Sequence, residues 1–227
     1  MIVTIDGPAG AGKSTVAQAL ARRLGYQYLD TGAMYRAVAL AALRRGLDFE
    51  DPQAIAHLAE QLQIEVSGPQ IFLDGEQVTE AVRSSEVTAV TRFAAGNPQV
   101  RARLVALQQA IGAERDIVTE GRDQGTVVFP EAQCKIYLTA SAGERARRRM
   151  EELRQRGELA TLDAVLSAQD RRDRDDSSRA VGPLRPAADA IEVVTDGMSI
   201  DAVVNALEAL VRGSLASALR EQGPAEE

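Results

Sequence analysis

The sequence predicts an α/β fold, a parallel sheet with helices on both faces, and three observations carry that expectation. Short apolar runs of strand length alternate along the chain with longer stretches whose apolar residues recur at helical spacing, the pattern of strand–helix–strand units. A glycine-rich segment at residues 7–12 joins the first apolar run directly to the first helical stretch. The 227 residues are 45% apolar, enough for one substantial core with a small inserted lobe.

Taken in order, Ile2-Val3-Thr4-Ile5 reads as a short buried strand. Residues 13–24 follow as an amphipathic helix with Gly25 as its C-cap. A second helix is expected from about Gly32 to Arg45, stopped at Gly46, and a third from Pro52, after Asp51, to about Leu62. Between 63 and 80 the pattern changes: Ile64, Val66, Ile71, Leu73 and Val78 fall in short runs broken by Ser67-Gly68-Pro69 and Asp74-Gly75. Asp-Gly between apolar runs is a hairpin signal, so this segment predicts a small β-meander. Helical spacing resumes over about 85–95 and 98–112. Residues 116–120 and 135–138 are the next strands, with the loop Gly121-Arg122-Asp123 after the first of them. Helices fit 141–156 and 161–175, a last strand 191–194 and a last helix 199–212, and the small polar residues 213–227 predict a frayed tail.

Composition narrows the function classes. No run approaches 18 apolar residues, so no membrane span is expected. The opening MIVTIDGPAG has no basic stretch before it and predicts mature structure rather than a signal peptide. One cysteine, Cys134, excludes an internal disulfide and a multi-cysteine metal site, and the cytoplasm is the expected compartment. A net charge of -7 argues against a general nucleic-acid binder. The basic residues are 24 Arg and two Lys, Lys13 and Lys135. Arginine suits bidentate phosphate contacts, although acids interleave the arginine clusters at 145–156 and 171–179, so ion-paired helix faces are the plainer account of most of them.

The segment Gly7-Pro8-Ala9-Gly10-Ala11-Gly12-Lys13-Ser14, continued by Thr15, fits the phosphate-loop pattern of glycine, four residues, then Gly-Lys-Ser/Thr. Backbone N–H groups must line a concave loop around phosphates, which glycine permits by adopting positive φ. The helix that follows adds its unbonded N–H groups and partial positive charge. Lys13 can reach the β- and γ-phosphates and the Ser14 hydroxyl can hold Mg2+. The loop alone implies a nucleotide such as ATP, not what is done with it.

Four segments together are more specific: GPAGAGKST at 7–15, LDTGAMYR at 29–36, EGRDQGTVVFP at 120–130 and DDSSRAVGPL at 175–184. In order and spacing they resemble the bacterial cytidylate kinases over about residues 2–212, which implies a P-loop fold of the nucleoside monophosphate kinase type. The meander fits that family's enlarged acceptor-nucleotide region, and 144–157 fits its short arginine-rich lid. The resemblance thus implies a core of residues 1–30, 85–143 and 158–212, an acceptor region at 31–84 and the lid. It implies further that Thr31 contacts the acceptor sugar. Arg36, Arg122 and Arg179 grip the acceptor phosphate and, with Lys13, serve phosphoryl transfer. Arg101 and Asp123 read the cytosine edge, and Arg172 and Asp176 lie near the pentose. A carboxylate accepting from the cytosine amino group, with a guanidinium donating to its acceptors, would reject uracil.

This implies transfer of the ATP γ-phosphate to CMP or dCMP by a monomeric cytoplasmic enzyme. One position departs from the pattern: where the family often carries serine, about nine residues before Arg101, this chain has Arg92 beside Thr91. A UMP/CMP or other small-metabolite kinase therefore stands as the alternative, and a nucleotide-dependent switch as a more distant one. Each residue also has a plainer account. Arg36 could be a helix-surface ion-pair partner, Arg122 and Asp123 a local pair, and Arg172 and Asp176, four apart on one helix, a pair with each other. His57 is expected at a surface or packed position, Cys134 buried and inert.

Overall fold

A computed structural model describes residues 1–155 and 157–221, with side chains through residue 216. Its elements in chain order are β1 (Ile2–Asp6), α1 (Lys13–Leu24), β2 (Gln27–Asp30), α2 (Thr31–Arg44), α3 (Pro52–Gln61), β3 (Ile64–Ser67), β4 (Gln70–Leu73), β5 (Glu76–Gln77), α4 (Ser85–Gly96), α5 (Pro98–Glu114), β6 (Ile117–Gly121), β7 (Cys134–Thr139), α6 (Ala142–Gln155), α7 (Leu162–Ser177), β8 (Ile191–Val194) and α8 (Ile200–Glu221). A 3₁₀ turn at Ala81–Arg83 and a wide helical turn at Gln124–Val128 complete the regular structure. None of the described helices is long and apolar enough to cross a membrane.

The chain divides into two compact units. The first joins residues 1–26 to those from 117 onward. Its strands adjoin in the order β6-β1-β7-β8, and every neighbouring pair is parallel. β1 is buried on both faces from Val3 to Asp6, as a central strand covered by helices must be, and its apolar run has no polar alternation for that reason. Helices α1 and α8 pack together, Val16, Ala17 and Leu20 of α1 and Val203, Val204, Leu207 and Val211 of α8 being buried. All three strands β1, β6 and β7 end toward the glycine-rich loop that joins β1 to α1, with Asp6 opposite Gly121 and Tyr137 in register. The carboxyl ends of parallel strands are where such sheets place ligands.

The second unit covers residues 27–116. Here the three-stranded antiparallel sheet β3-β4-β5 is the expected meander. Asp74 and Gly75 both take positive φ, 50° and 83°, the two-residue hairpin loop that an Asp-Gly pair favours. Helix starts follow their capping residues: the Asp51 carboxylate accepts from Gln53 and Ala54 N–H ahead of Pro52, and the Asn97 side chain accepts from Gln99 and Val100 N–H ahead of Pro98.

Three expectations are corrected. Strand β2 was not foreseen: four residues one step beyond a helix cap, Gln-Tyr-Leu-Asp, show neither alternation nor β-branched enrichment. The last helix does not stop at 212 but continues to Glu221, because Val211, Leu215 and Leu219 prolong its helical spacing of apolar residues; residues 222–227 lie outside those described. Helices α4 and α5, expected in the core, group with residues 27–116. There α4 packs on α2 and α5 on α3. Two side chains fasten the latter pair: Asn97 Nδ2 donates to Pro52 O at 2.8 Å and Arg103 Nη2 to Leu62 O at 2.8 Å. The expected lid at 144–157 falls mostly on α6, with Arg156 outside the described residues.

Candidate active site

In the first unit the loop after β1 takes the shape its glycines allow. Gly10 and Gly12 sit at φ 77° and 89°, left-handed conformations that disfavour a side chain. Gly7 answers a different demand: a Cβ there would lie 2.0 Å from Leu138 O, because β7 passes directly against the loop. Among the described residues no side chain caps the N-terminus of α1, so its first turn offers N–H groups of the kind that bind anions.

Lys13 opens α1, is 5% exposed, and donates from Nζ to Pro8 O at 2.8 Å, folding back over the loop. Burial, then the charge of Arg122, brings its ammonium down from the ordinary lysine range to about 7, against the opposing pull of Glu120 and Asp6. Ser14 Oγ donates to Glu120 Oε1 at 2.7 Å, so the hydroxyl named for magnesium lies beside a carboxylate at the end of β6. Asp6, the last residue of β1, accepts from the N–H of Gln124 at 2.9 Å and of Gly125 at 2.8 Å. Burial pushes its carboxyl up to about 6, although those two hydrogen bonds oppose the shift. Asp6 thereby fixes the turn that follows Gly121-Arg122-Asp123 to the root of the phosphate loop.

Arg122 and Arg179 meet on one carboxylate. Arg122 Nε donates to Asp176 Oδ2 at 2.6 Å, and Arg179 Nη2 donates to Asp176 Oδ1. Asp176 is 3% exposed. Burial alone would raise its pKa, but the charges of Arg122 and Arg179 override this and hold it below the ordinary carboxylate value. Burial likewise works against the charge of Arg122, and Asp176 overrides it, so that the guanidinium is held more firmly protonated than usual. Asp176 thus bridges Arg122 and Arg179, and the charge of Arg172 reaches both Asp176 and Lys13. Asp123, 4% exposed, adds its negative charge to the surroundings of Asp6.

The arginines of α6 divide as their spacing dictates. Arg147 and Arg149 form exposed pairs with Glu144 and Glu152. Arg145 and Arg148 also reach the phosphate loop, donating from Nη1 to Ala9 O at 2.9 Å and to Ala11 O at 3.2 Å, while Arg148 Nε pairs with Glu144 at 2.9 Å. Arg148 also bonds Thr195 Oγ1 and O, beyond β8.

In the second unit, Thr31 begins α2 and is buried. Asp30 caps that helix by accepting from Ala33 N at 2.8 Å, and its carboxylate also takes Arg36 Nη2 at 3.2 Å and Arg83 Nη2 at 3.5 Å. Arg36 folds back across Gly32, where a Cβ would lie 3.0 Å from its Nη1, and its buried Nε has no hydrogen-bond partner among the described residues. Arg101 is 2% exposed, donates to Ala95 O at 3.3 Å and lies over the Tyr35 ring at 5.5 Å. Arg92 is exposed and lies over Phe93. His57 is exposed and Cys134 buried, as expected.

Sequence reasoning passed over Asp6, Glu120, Asp30 and Asp173. For Asp6 and Glu120 the signal was position, since each is an acid at the carboxyl end of an expected strand, whereas Asp30 ends a strand that the sequence did not announce. Asp173 carried none, being one acid in a run of alternating charge.

A phosphate loop at the head of a parallel sheet, with a buried lysine and arginines held on a buried acid, defines a P-loop phosphotransferase. A gluconokinase from Sinorhizobium meliloti shares the fold at a TM-score of 0.50, with 14% identity, 98% of this chain and 97% of that one aligned. The family model described as cytidylate kinase matches residues 3–213. A cytidylate kinase of Rhodopirellula baltica is 49% identical over 93% of this chain and 93% of its own, and one of Pelotomaculum thermopropionicum is 49% identical over 92% and 95%. The chain belongs to the cytidylate kinase family.

Proposed function

We propose that the protein transfers the γ-phosphoryl group of ATP, bound with magnesium, to CMP or dCMP. The observation that carries this reading is the buried Asp176 bridge, which holds Arg122 and Arg179 charged and oriented in the same unit as the phosphate loop and Lys13. Phosphoryl transfer asks little covalent chemistry of a protein and much positive charge in fixed places. The donor phosphates lie in the loop at residues 7–15. Lys13, already drawn over the loop by Pro8 O, exchanges that carbonyl for phosphate oxygens. Arg122, Arg179 and Arg36 hold the acceptor phosphate, Thr31 its sugar, and Arg172 and Asp176 the pentose edge. Asp123 and Arg101 read the cytosine.

Magnesium fits the residues present. Ser14 Oγ and Glu120 Oε1 are hard oxygen donors 2.7 Å apart beside the phosphate loop, and this ion commonly takes one or two protein oxygens plus substrate phosphates. When bound it would neutralise charge on the β- and γ-oxygens.

A coupled ADP-release assay across CMP, dCMP, UMP and AMP tests the proposal. Preference for the two cytosine nucleotides is the expected result; equal rates with UMP or AMP would remove the base assignment. The same reading makes the enzyme a cytoplasmic monomer, which sedimentation and cell fractionation test.

A further inference from the structure

We propose that Asp173 and Arg145 are positioning residues for the phosphate loop, setting the two peptide planes that aim the Lys13 ammonium and the Gly10 N–H. Asp173 Oδ1 accepts from Ala9 N at 3.2 Å, while its Oδ2 takes Arg145 Nη1 at 2.6 Å. The same Arg145 Nη1 donates to Ala9 O at 2.9 Å, and Arg145 Nε donates to Ala140 O at 3.2 Å, which locks the guanidinium at its other edge. Both backbone groups of Ala9 are therefore held by one ion pair that joins α6 to α7.

A trans peptide carries its C=O and N–H on opposite sides. With the Ala9 N–H turned to Asp173, the Pro8 C=O of the same plane faces the other way, and there it accepts from Lys13 Nζ at 2.8 Å. With the Ala9 C=O turned to Arg145, the Gly10 N–H of the next plane faces away from α6. The packing leaves little room for either plane to rotate. A Cβ on Gly10 would lie 2.6 Å from Gln169 Nε2 and 3.2 Å from Arg145 O, and Gln169 Nε2 itself donates to Arg145 O at 3.1 Å. Neither Asp173 nor Arg145 belongs to the loop motif, yet its geometry at residues 8–10 depends on them. Side chains that orient a binding group through a charged hydrogen bond act on affinity for what that group binds, here the donor phosphates.

The inference rests on the assignment of residues 7–15 to ATP. The test measures MgATP and CMP dissociation constants by calorimetry, kcat, and the unfolding midpoint without ligands, for wild type, D173A, D173N, R145A, R145K and the double variant D173A/R145A. D173A and R145A are each expected to weaken MgATP about tenfold, equivalent to about 1.4 kcal/mol, and to lower kcat. CMP affinity should stay within about twofold, and the double variant should be no worse than either single one, because the pair acts as a unit. R145K should recover part of the loss, since an ammonium can still donate to Ala9 O; D173N should not, since its amide nitrogen would face a donor. Unchanged MgATP affinity in D173A overturns the proposal. So does a loss shared equally by MgATP and CMP that tracks a lowered unfolding midpoint. A wild-type protein that binds no MgATP would instead overturn the proposed function, and this inference with it.

Discussion

Replacing Asp176 by asparagine removes one negative charge from between two guanidinium groups while keeping the shape of the side chain. Asp176 is 3% exposed, and the side chains of Arg122 and Arg179 are each 15% exposed, so solvent screens the cluster weakly. At charge separations of about 4 Å and an effective dielectric of about 20, each attraction is worth about 4 kcal/mol before the cost of burial is subtracted. Removing one member of such a buried set costs about 3–5 kcal/mol net, since it strands the others without compensation. Asparagine retains one acceptor oxygen, which puts D176N near the lower figure of about 3 kcal/mol and D176A near the upper. For a chain of this size, at about 2–4 °C per kcal/mol, D176N should lower Tm by about 6–12 °C. The pH dependence has a definite sign. The Asp176 carboxyl is held below its ordinary value in the folded protein, so its stabilisation is fully present above the unfolded carboxylate pKa and is lost as pH falls through the lower folded one. The gap between wild type and D176N should therefore be constant from about pH 5 to 8 and close only below about pH 4. Thermal and urea denaturation across that range measure it. A D176N protein that melts within about 1 °C of wild type at pH 7.5 and keeps its kcat would refute the reasoning, because the bridge would then be neither a stabilising nor an orienting element.

Other perturbations probe other parts of the site. Arg122→Ala and Arg179→Ala should cut kcat far more than they alter MgATP affinity, by up to about 10³-fold or more if each meets the transferring group, and steady-state kinetics with CMP as the variable substrate will show it. Lys13, at about 7 in the ligand-free protein, should take up a proton when phosphates favour its charged form. Calorimetry of MgATP binding in buffers of different ionisation enthalpy should then register a net proton uptake that grows as pH rises from about 7 to about 8, absent in Lys13→Met. Gly7→Ala should fail to fold or lose several kcal/mol, on the order of 3 or more, because its Cβ would have to displace the backbone of β7; circular dichroism and urea titration check this.

Local features of the fold were legible. The phosphate loop follows from glycines and one lysine within eight residues, and the meander from Asp74-Gly75, because turn chemistry is written in adjacent residues. Helices α1 to α7 follow from caps and spacing that the structure places within a few residues of expectation. What sequence could not display is pairing at a distance. Asp6 reaches across to Gln124 and Gly125, Ser14 to Glu120, and Asp173 to Ala9, partners more than a hundred positions apart whose meeting depends on strand order. The bridge at Asp176 has the same origin: Arg172 and Arg179 are its neighbours in sequence, whereas Arg122, 54 positions away, arrives on the loop that follows β6. The unit boundary was misplaced for a related reason, since the apolar faces of α4 and α5 say that they pack but not on which neighbour.

The lone thiol has a practical use. Cys134 lies on β7, paired in register with Val3 of the central strand, and is 3% exposed, with burial holding its pKa above the ordinary thiol value. The chain contains no other cysteine and no tryptophan. A thiol-specific reagent therefore has one target, reached when the packing over the start of β7 opens, including that of Ser214 on α8, and the pace of alkylation becomes a clock for that opening. Run with and without nucleotide, such a clock would report how far a ligand at the loop slows the breathing of the strands beneath it, with no label or engineered probe.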